Sequence, residues 1–551
     1  MFAFDAVNGS SLTRSRTLQS YLATGRDANG MLITRIAETG SDVLGFSADR
    51  NSNRRFYTET SLNYSRKYGN HDVSGLFLFN QSDYVNGNAT DLISSIPFRQ
   101  RSLVGRANYG YKEKYFVEAN FGYSGSENFV PSKRFGFFPS VGAGWVASNE
   151  KFFEPVKDAV SYLKFRYTYG LTGNSNTGSR FLFLSTLGDA FSYTFGIPGA
   201  DRAYTGYQES RIGSEVQWET GFRHNLGIEI NFLKDDLQLI VELFKEKRND
   251  ILLQNYTIPY ISGFTTSNIP YVNVGKTANR GIDLTLSYNK SFRDGFVTFR
   301  GTFNMNENKN IFDGLPPWQY SWLNRTGHAI GQRFGYVAMG LFKDQNEIDN
   351  APTQAGDVRP GDIRYKDLNG DGLISSFDQQ AIGYGSTPRI LYGLNIGAGY
   401  KGFDFVLFFQ GAGQVDFSYN GGTGTTPFSQ GATFGNMYAK VTDRWTIENP
   451  NPDAFYPRLS TNQDVTTNYY SSTWWVKRAD YIRLKSAEVG YTFGIKALSK
   501  VAIKKLRIYA NGTNLVTFSK WKFWDPELGD GRGASYPNIS TFNLGLRANF
   551  N

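Results

Sequence analysis

The sequence predicts an all-β protein, an antiparallel transmembrane β-barrel with short turns at one end and long loops at the other. Three observations carry this: apolar and polar residues alternate with a period of two, the alternating segments are long, and no segment is apolar enough to span a bilayer as a helix. Gly 59, Tyr 34 and Phe 45 fit the same picture, and aromatic residues make up 16% of the 551. Tyr and Phe favour pleated surfaces, while Gly relieves crowding where strands bend or approach closely.

From Thr220 to Phe232 the residues Thr220, Phe222, His224, Leu226, Ile228, Ile230 and Phe232 alternate with Gly221, Arg223, Asn225, Gly227, Glu229 and Asn231. One side is nearly all apolar, and the other is small, polar or charged. A turn at Leu233-Lys234-Asp235-Asp236 leads into a return strand that carries Leu237, Leu239, Val241 and Leu243. Similar hairpins flank Lys112-Glu113-Lys114 and Lys401-Gly402, with Tyr111 and Tyr115 bracketing the former as interface aromatics do. The last strand, with Phe542, Leu544, Leu546, Ala548 and Phe550, ends almost at the terminus.

At about 3.3 Å per residue and a tilt near 40°, roughly 10 residues cover the 25 Å apolar band of an outer membrane. Segments of that length exceed the usual strands of soluble sheets. The count comes to roughly fifteen or sixteen strands. Residues 1–55 read as an irregular segment or a remnant of early barrel strands, and residues 56–551 read as the barrel. Long insertions are expected at Asn249 to Arg280, Asn308 to Ile390 and Gly411 to Ala479.

The most apolar stretch, Phe403 to Phe409, is short and interrupted by Asp404. The first residues lack the basic and apolar regions of a secretory leader. Cysteine is absent, which excludes disulfides and thiolate chemistry. A net charge of +9 fits solvated loops or contact with the phosphates of lipopolysaccharide. Nucleic-acid binding is not expected, because no basic run is interleaved with a nucleic-acid module.

Several stretches resemble the SusC/RagA family of TonB-dependent outer-membrane transporters of Bacteroidetes. They include Phe135 to Phe153, Leu163 to Ser175, Ser214 to Leu233, Gly361 to Gly383 (GDIRYKDLNGDGLISSFDQQAIG), Asp443 to Pro452, Ala479 to Phe493 and Arg507 to Glu527. The resemblance implies a barrel of about 22 strands in the outer membrane. It also implies import of an oligosaccharide or peptide, energised through TonB-ExbB-ExbD, with a SusD-like lid lipoprotein. The family's signal peptide, TonB-contacting segment and plug domain have no counterpart here, so the chain is expected to be a C-terminal portion of a longer polypeptide. The alternatives are a passive porin-like or structural barrel and a soluble carbohydrate-binding β-protein. No catalytic arrangement emerges, and an enzyme is not expected.

Two groups of residues are candidate sites. Asp367, Asn369, Asp371, Leu373 (through its carbonyl) and Asp378 follow the spacing of a calcium loop, with Gly372 at its bend. They are expected to hold a structural Ca²⁺ or Mg²⁺, or to form a metal-free Asx-type turn. Asp357 and Asp362 nearby read as solvated. Trp318, Tyr320 and Trp322, and separately Trp474 and Trp475, are candidates for substrate or lid contact. Girdle or loop packing explains them equally well. Trp521 reads as girdle or loop packing, and His224 as an interface residue.

Overall fold

The computed structural model describes residues 1–197, 202–259, 261, 268–315, 318–420, 425–427, 437–460, 466–493, 503–530 and 535–550. Sixteen strands form one antiparallel sheet, and each pairs with its neighbours in chain order. They are β1 (Phe2–Ser15), β2 (Gly45–Tyr68), β3 (His71–Asn86), β4 (Phe98–Tyr111), β5 (Tyr115–Ser126) and β6 (Phe135–Val146). Next come β7 (Val160–Asn174), β8 (Glu219–Phe232), β9 (Leu237–Gln254), β10 (Tyr271–Phe292) and β11 (Gly295–Phe312). The last are β12 (Ile390–Tyr400), β13 (Phe403–Gly413), β14 (Tyr481–Phe493), β15 (Ile503–Ser519) and β16 (Thr541–Phe550). β1 and β16 stand at the two ends of this order.

Tight turns join the strands at one end. Lys401 and Gly402 both have positive φ (48° and 92°), the two-residue geometry that matches the right-handed twist of the flanking strands. Lys112 and Glu113 make the equivalent left-handed pair between β4 and β5. The longest connections, 16–44, 175–218, 313–389 and 414–480, lie at the opposite end, while the segment 147–159 joins β6 to β7 at the turn end.

Most apolar residues of the strands point outward, with Phe138 and Phe244 among the exceptions on the inner face. Along β6, Phe135, Phe137, Val141 and Trp145 are exposed, and Gly136, Ser140, Gly142 and Gly144 alternate with them on the inner face. A soluble sheet would hide those rings in a core. Here they face where lipid tails lie.

The apolar outer band has a readable upper limit. Leu226, Leu243, Ile282 and Met305 form a row across β8 to β11, and the next outward row is His224, Lys245, Arg280 and Glu307. Charge is costly in hydrocarbon, so this change marks where the strands leave the bilayer. The strands continue beyond it, because ladder hydrogen bonds need no apolar face. The insertions expected from Asn249 and Asn308 therefore begin later, after Gln254 and Phe312, and the first of them ends at Tyr271. For the same reason the first 55 residues are largely strand: β1, a hairpin of Ser20–Arg26 with Leu32–Glu38, and the start of β2.

The long loops fold into a cap with its own core. Tyr336, Ile363, Tyr365, Ile374, Val415, Phe417, Tyr419, Tyr456, Trp475, Ala479 and Trp521 are buried together. Edge-to-face pairs such as Phe417 with Trp521 (5.4 Å, 88°) order the cluster. Asp362, read from the sequence as solvated, is 2% exposed. Arg458 donates to both its oxygens at 2.9 Å, and Asn468 adds a third bond at 2.7 Å. A buried carboxylate needs such partners, and these come from about a hundred residues away in sequence.

Candidate functional site: inner wall and cap

The inner face of the sheet is polar and concave. Asn108, Glu118, Asn120, Ser140, Lys164, Arg166, Thr168 and Thr172 line a space of about 1000 Å³ along β4 to β7. Asn120 donates to Glu118 at 2.8 Å and to Ser140 at 3.1 Å. Glycines at 142, 144 and 170 in the same lining keep the wall low and the space open.

Two ionic staples cross this face, each laid over a glycine. Arg166 of β7 reaches across β8 to Glu242 of β9, and Lys164 and Arg166 also pair with Glu229. A Cβ on Gly227 would stand 2.6 Å from the Arg166 Nε. Likewise Arg507 of β15 reaches across β14 to Asp404 of β13 and pairs with Glu488 at 2.8 Å. A Cβ on Gly490 would stand 2.5 Å from its Nη2. Asp404, which interrupts the most apolar stretch of the sequence, is thus an inward residue with a fixed partner.

Arg483 ties wall to cap. It is almost fully buried, on β14, and meets Asp525 at 2.5 Å and Glu527 at 3.0 Å, both in the last long loop. Lys485 shares Glu527 at 2.7 Å.

The loop of the calcium-type spacing closes on its own backbone. Asp367 accepts from the N–H groups of Gly370 (2.7 Å) and Gly372 (2.9 Å), and Asp371 accepts from Leu373 N–H at 2.8 Å. Gly370 and Gly372 take positive φ, as the tight bend requires. Asn369 donates to Asp371 at 2.8 Å. Asp378 is fully buried and completes the capping box of the short helix Ser376–Asp378, whose N-cap is Ser375, accepting from the N–H groups of Leu368 (2.8 Å) and Ser375 (2.7 Å). Among the described residues no three carboxylate or imidazole groups converge to hold an ion. Asp367, Asp371 and Asp378 are therefore near in sequence without forming a three-carboxylate cage.

The aromatic candidates separate. Tyr320 and Trp322 stack at 4.7 Å, and Trp322 Nε1 donates to the Phe377 carbonyl at 2.7 Å. Asn369 reaches the Tyr320 hydroxyl at 3.4 Å, so this pair and the 367–378 loop form one unit. Trp318 is exposed beside it. Trp475, by contrast, is 0% exposed and donates to the Asn468 carbonyl at 2.7 Å. The expectation of surface contact is corrected for Trp475: Tyr469 stacks on its ring and Tyr456 packs against it at a tilt. Trp474 is half-buried against the same core and bonded to the Phe455 carbonyl. Trp521 packs there too, as loop packing. His224 lies at the outer row above the lipid-facing band, with the Tyr167 hydroxyl 2.6 Å from its Nδ1.

Among solved structures, the chain is similar to the RagAB peptide transporter, with a TM-score of 0.69 at 20% identity, covering 99% of this chain and 60% of that one. That likeness establishes the fold. Residues 3–371 match the family described as TonB dependent receptor-like, beta-barrel. The chain belongs to that family of outer-membrane β-barrels. It is 28% identical over 546 residues to TonB-dependent receptor P3 of Formosa agariphila, covering 90% of this chain and 52% of that protein. It is 26% identical over 465 residues to TonB-dependent receptor SusC of Bacteroides thetaiotaomicron, covering 82% of this chain and 43% of that protein. The chain thus spans about half the length of the curated relatives it matches.

Proposed function

We propose that the chain forms the wall and cap of a nutrient importer of SusC type. Its cargo is an oligosaccharide or peptide, and its role is transport rather than catalysis. The observation that carries the reading is the pairing of a lipid-compatible outer face with a wet, polar, glycine-lowered inner face beneath a folded cap. Such an inner face offers a bulky polar solute hydrogen bonds without trapping it in one deep pocket. Kinship with SusC supports a SusD-like lipoprotein over the cap and energy delivered through TonB, ExbB and ExbD by segments outside this chain. Exposed Trp318 and the edges of Tyr320 and Trp322 are surfaces such a lid or its cargo would meet.

The test is uptake of labelled oligosaccharides and peptides by cells expressing the gene from its own locus, with and without a protonophore. Uptake abolished by the protonophore is expected. Uptake that persists would favour a passive porin-like barrel.

We also propose that the 367–378 loop accepts Ca²⁺ or Mg²⁺ through oxygens of Asp367, Asn369 and Asp371 and the Leu373 carbonyl. Their chemistry supports it, since hard cations take carboxylate and carbonyl oxygens. Asp378 acts there as the buried cap of the turn. Calcium should raise the melting temperature of the cap, and Asp371→Ala should abolish that rise. Melting curves unmoved by either ion would leave a metal-free turn.

A further inference from the structure

β11 carries the run Asn304-Met305-Asn306-Glu307-Asn308-Lys309-Asn310. Alternate residues of a strand share a face, so the four asparagines form a ladder on one side. Glu307 meets Arg280 on the other side, in the outward charged row, which places the ladder on the inner face. On β10, Asp283, Gly281, Asn279 and Thr277 stand opposite Asn304, Asn306, Asn308 and Asn310. Asn279, Asn306, Asn308 and Asn310 line a concave space of about 590 Å³. The ladder lies at the cap end of the wall: Asn310 N–H donates to the His328 carbonyl and Asn306 N–H to that of Arg389.

The lowest rung is already occupied, since the Asn304 amide donates to Asp283. The upper rungs are only partly used. Asn308 accepts from Ile330 N–H at 2.6 Å, and Asn310 donates to Asp313 at 3.2 Å. The amide oxygens of Asn279 and Asn306 have no hydrogen-bond partner among the described residues. Those two oxygens are themselves enclosed, but the amide N–H groups of Asn279, Asn306 and Asn308 also bond no described residue and lie on the cavity lining, and they point to a ligand that supplies acceptors along this edge.

Spacing narrows what that ligand is. At about 3.4 Å per residue, successive rungs stand about 7 Å apart. An extended polypeptide presents its N–H and C=O groups along one edge at the same two-residue interval. A carboxamide offers both an acceptor and donors, the complement of one peptide unit, and it is indifferent to the cargo's side chains. A glycan would favour a flat aromatic platform, and Phe312 is the one aromatic ring among the described lining residues.

We propose that Asn306, Asn308 and Asn310 of β11, with Asn279 of β10, form a recognition strip for the backbone of an extended peptide. This rests on the import reading and narrows its cargo to peptides. The experiment measures binding to the native protein in detergent of a blocked alanine–serine peptide, the same peptide N-methylated at alternate residues, and a gluco-oligosaccharide. Alternate N-methylation should weaken binding about ten-fold, and Asn306→Val with Asn308→Val by about ten- to a hundred-fold. Heat-modifiable migration on gels reports that the variant is folded. The N-methylated peptide tests the unaltered protein, so the result does not depend on the variant folding.

Equal binding of both peptides, unchanged affinity in a folded variant, or binding of the oligosaccharide alone would overturn the strip. Cellular uptake is read in parallel. Protonophore-sensitive uptake of a glycan by cells whose protein binds no peptide removes the strip and leaves import standing; loss of all uptake removes both.

Discussion

The wall and the cap are built from the same chain with opposite rules. In the wall, Phe137, Val141 and Leu226 point outward and polar residues point in. In the cap, Trp475, Tyr456 and Ile363 point inward and are buried together. The difference follows from the solvent. Lipid tails accept apolar side chains without a hydrophobic penalty, so the wall's strength lies in its ladders and inner ion pairs, whereas the cap sits in water and needs a packed core. A substitution should therefore cost different things in the two regions.

The largest loss is expected in the cap. Asp362→Ala leaves the Arg458 guanidinium half-buried without its partner and should cost about 3–5 kcal/mol of cap stability. Trp475→Ala should cost a similar 3–5 kcal/mol by opening a cavity. Both should appear as new cleavage sites in limited proteolysis of the long loops, while gel migration of the wall stays heat-modifiable. Simultaneous loss of wall and cap would show that the two are one cooperative unit.

In the wall, Val241→Arg, flanked on the outer face by Ile228 and Leu284, should cost about 2–4 kcal/mol in bilayers. Refolding into lipid vesicles measures this. The same change would be benign if that face were wet. Gly490→Ala should cost about 1–3 kcal/mol by pushing Arg507 away from Asp404. A small cost there would mean that the arginine relaxes freely.

The smallest effect concerns pH. Asp416, in the cap, is held by the Tyr384 N–H and faces Arg333, Arg478 and Asp480; burial raises its carboxyl above the ordinary range. A group with a higher pKa when folded binds more protons in the folded state. Its stabilising contribution is fully present below its unfolded value, about 4, and is lost as pH rises through the raised one. Asp416→Asn should remove that decline, by at most about 1.4 kcal/mol per pH unit, in cap melting followed from about pH 4 to 8. An unchanged slope would place the titration elsewhere.

Much of the wall is legible in single segments. Thr220 to Phe232 displays both faces of β8 without reference to any neighbour, because a strand between two unlike solvents writes them into alternate positions. The cap is not legible in that way. Trp475 and Trp318 are both tryptophans in long polar loops, yet one is sealed in a core and the other exposed. Asp362 and Asp357 look equally solvated in sequence, and only Asp362 has its carboxylate held by Arg458 and Asn468 deep in the cap. The asparagines of β11 were visible as residues, but their meaning depended on which side of the strand faces the lumen.

What the sequence determined alone was the sheet, its antiparallel hairpins and the solvent on each face, since these depend on periodicity and turns within neighbouring segments. The tertiary structure decided which aromatics and carboxylates are buried, where strands outlast the bilayer, and which arginine crosses which glycine. Those outcomes depend on contacts between residues a hundred or more positions apart, and no local pattern records which distant partner a side chain will meet.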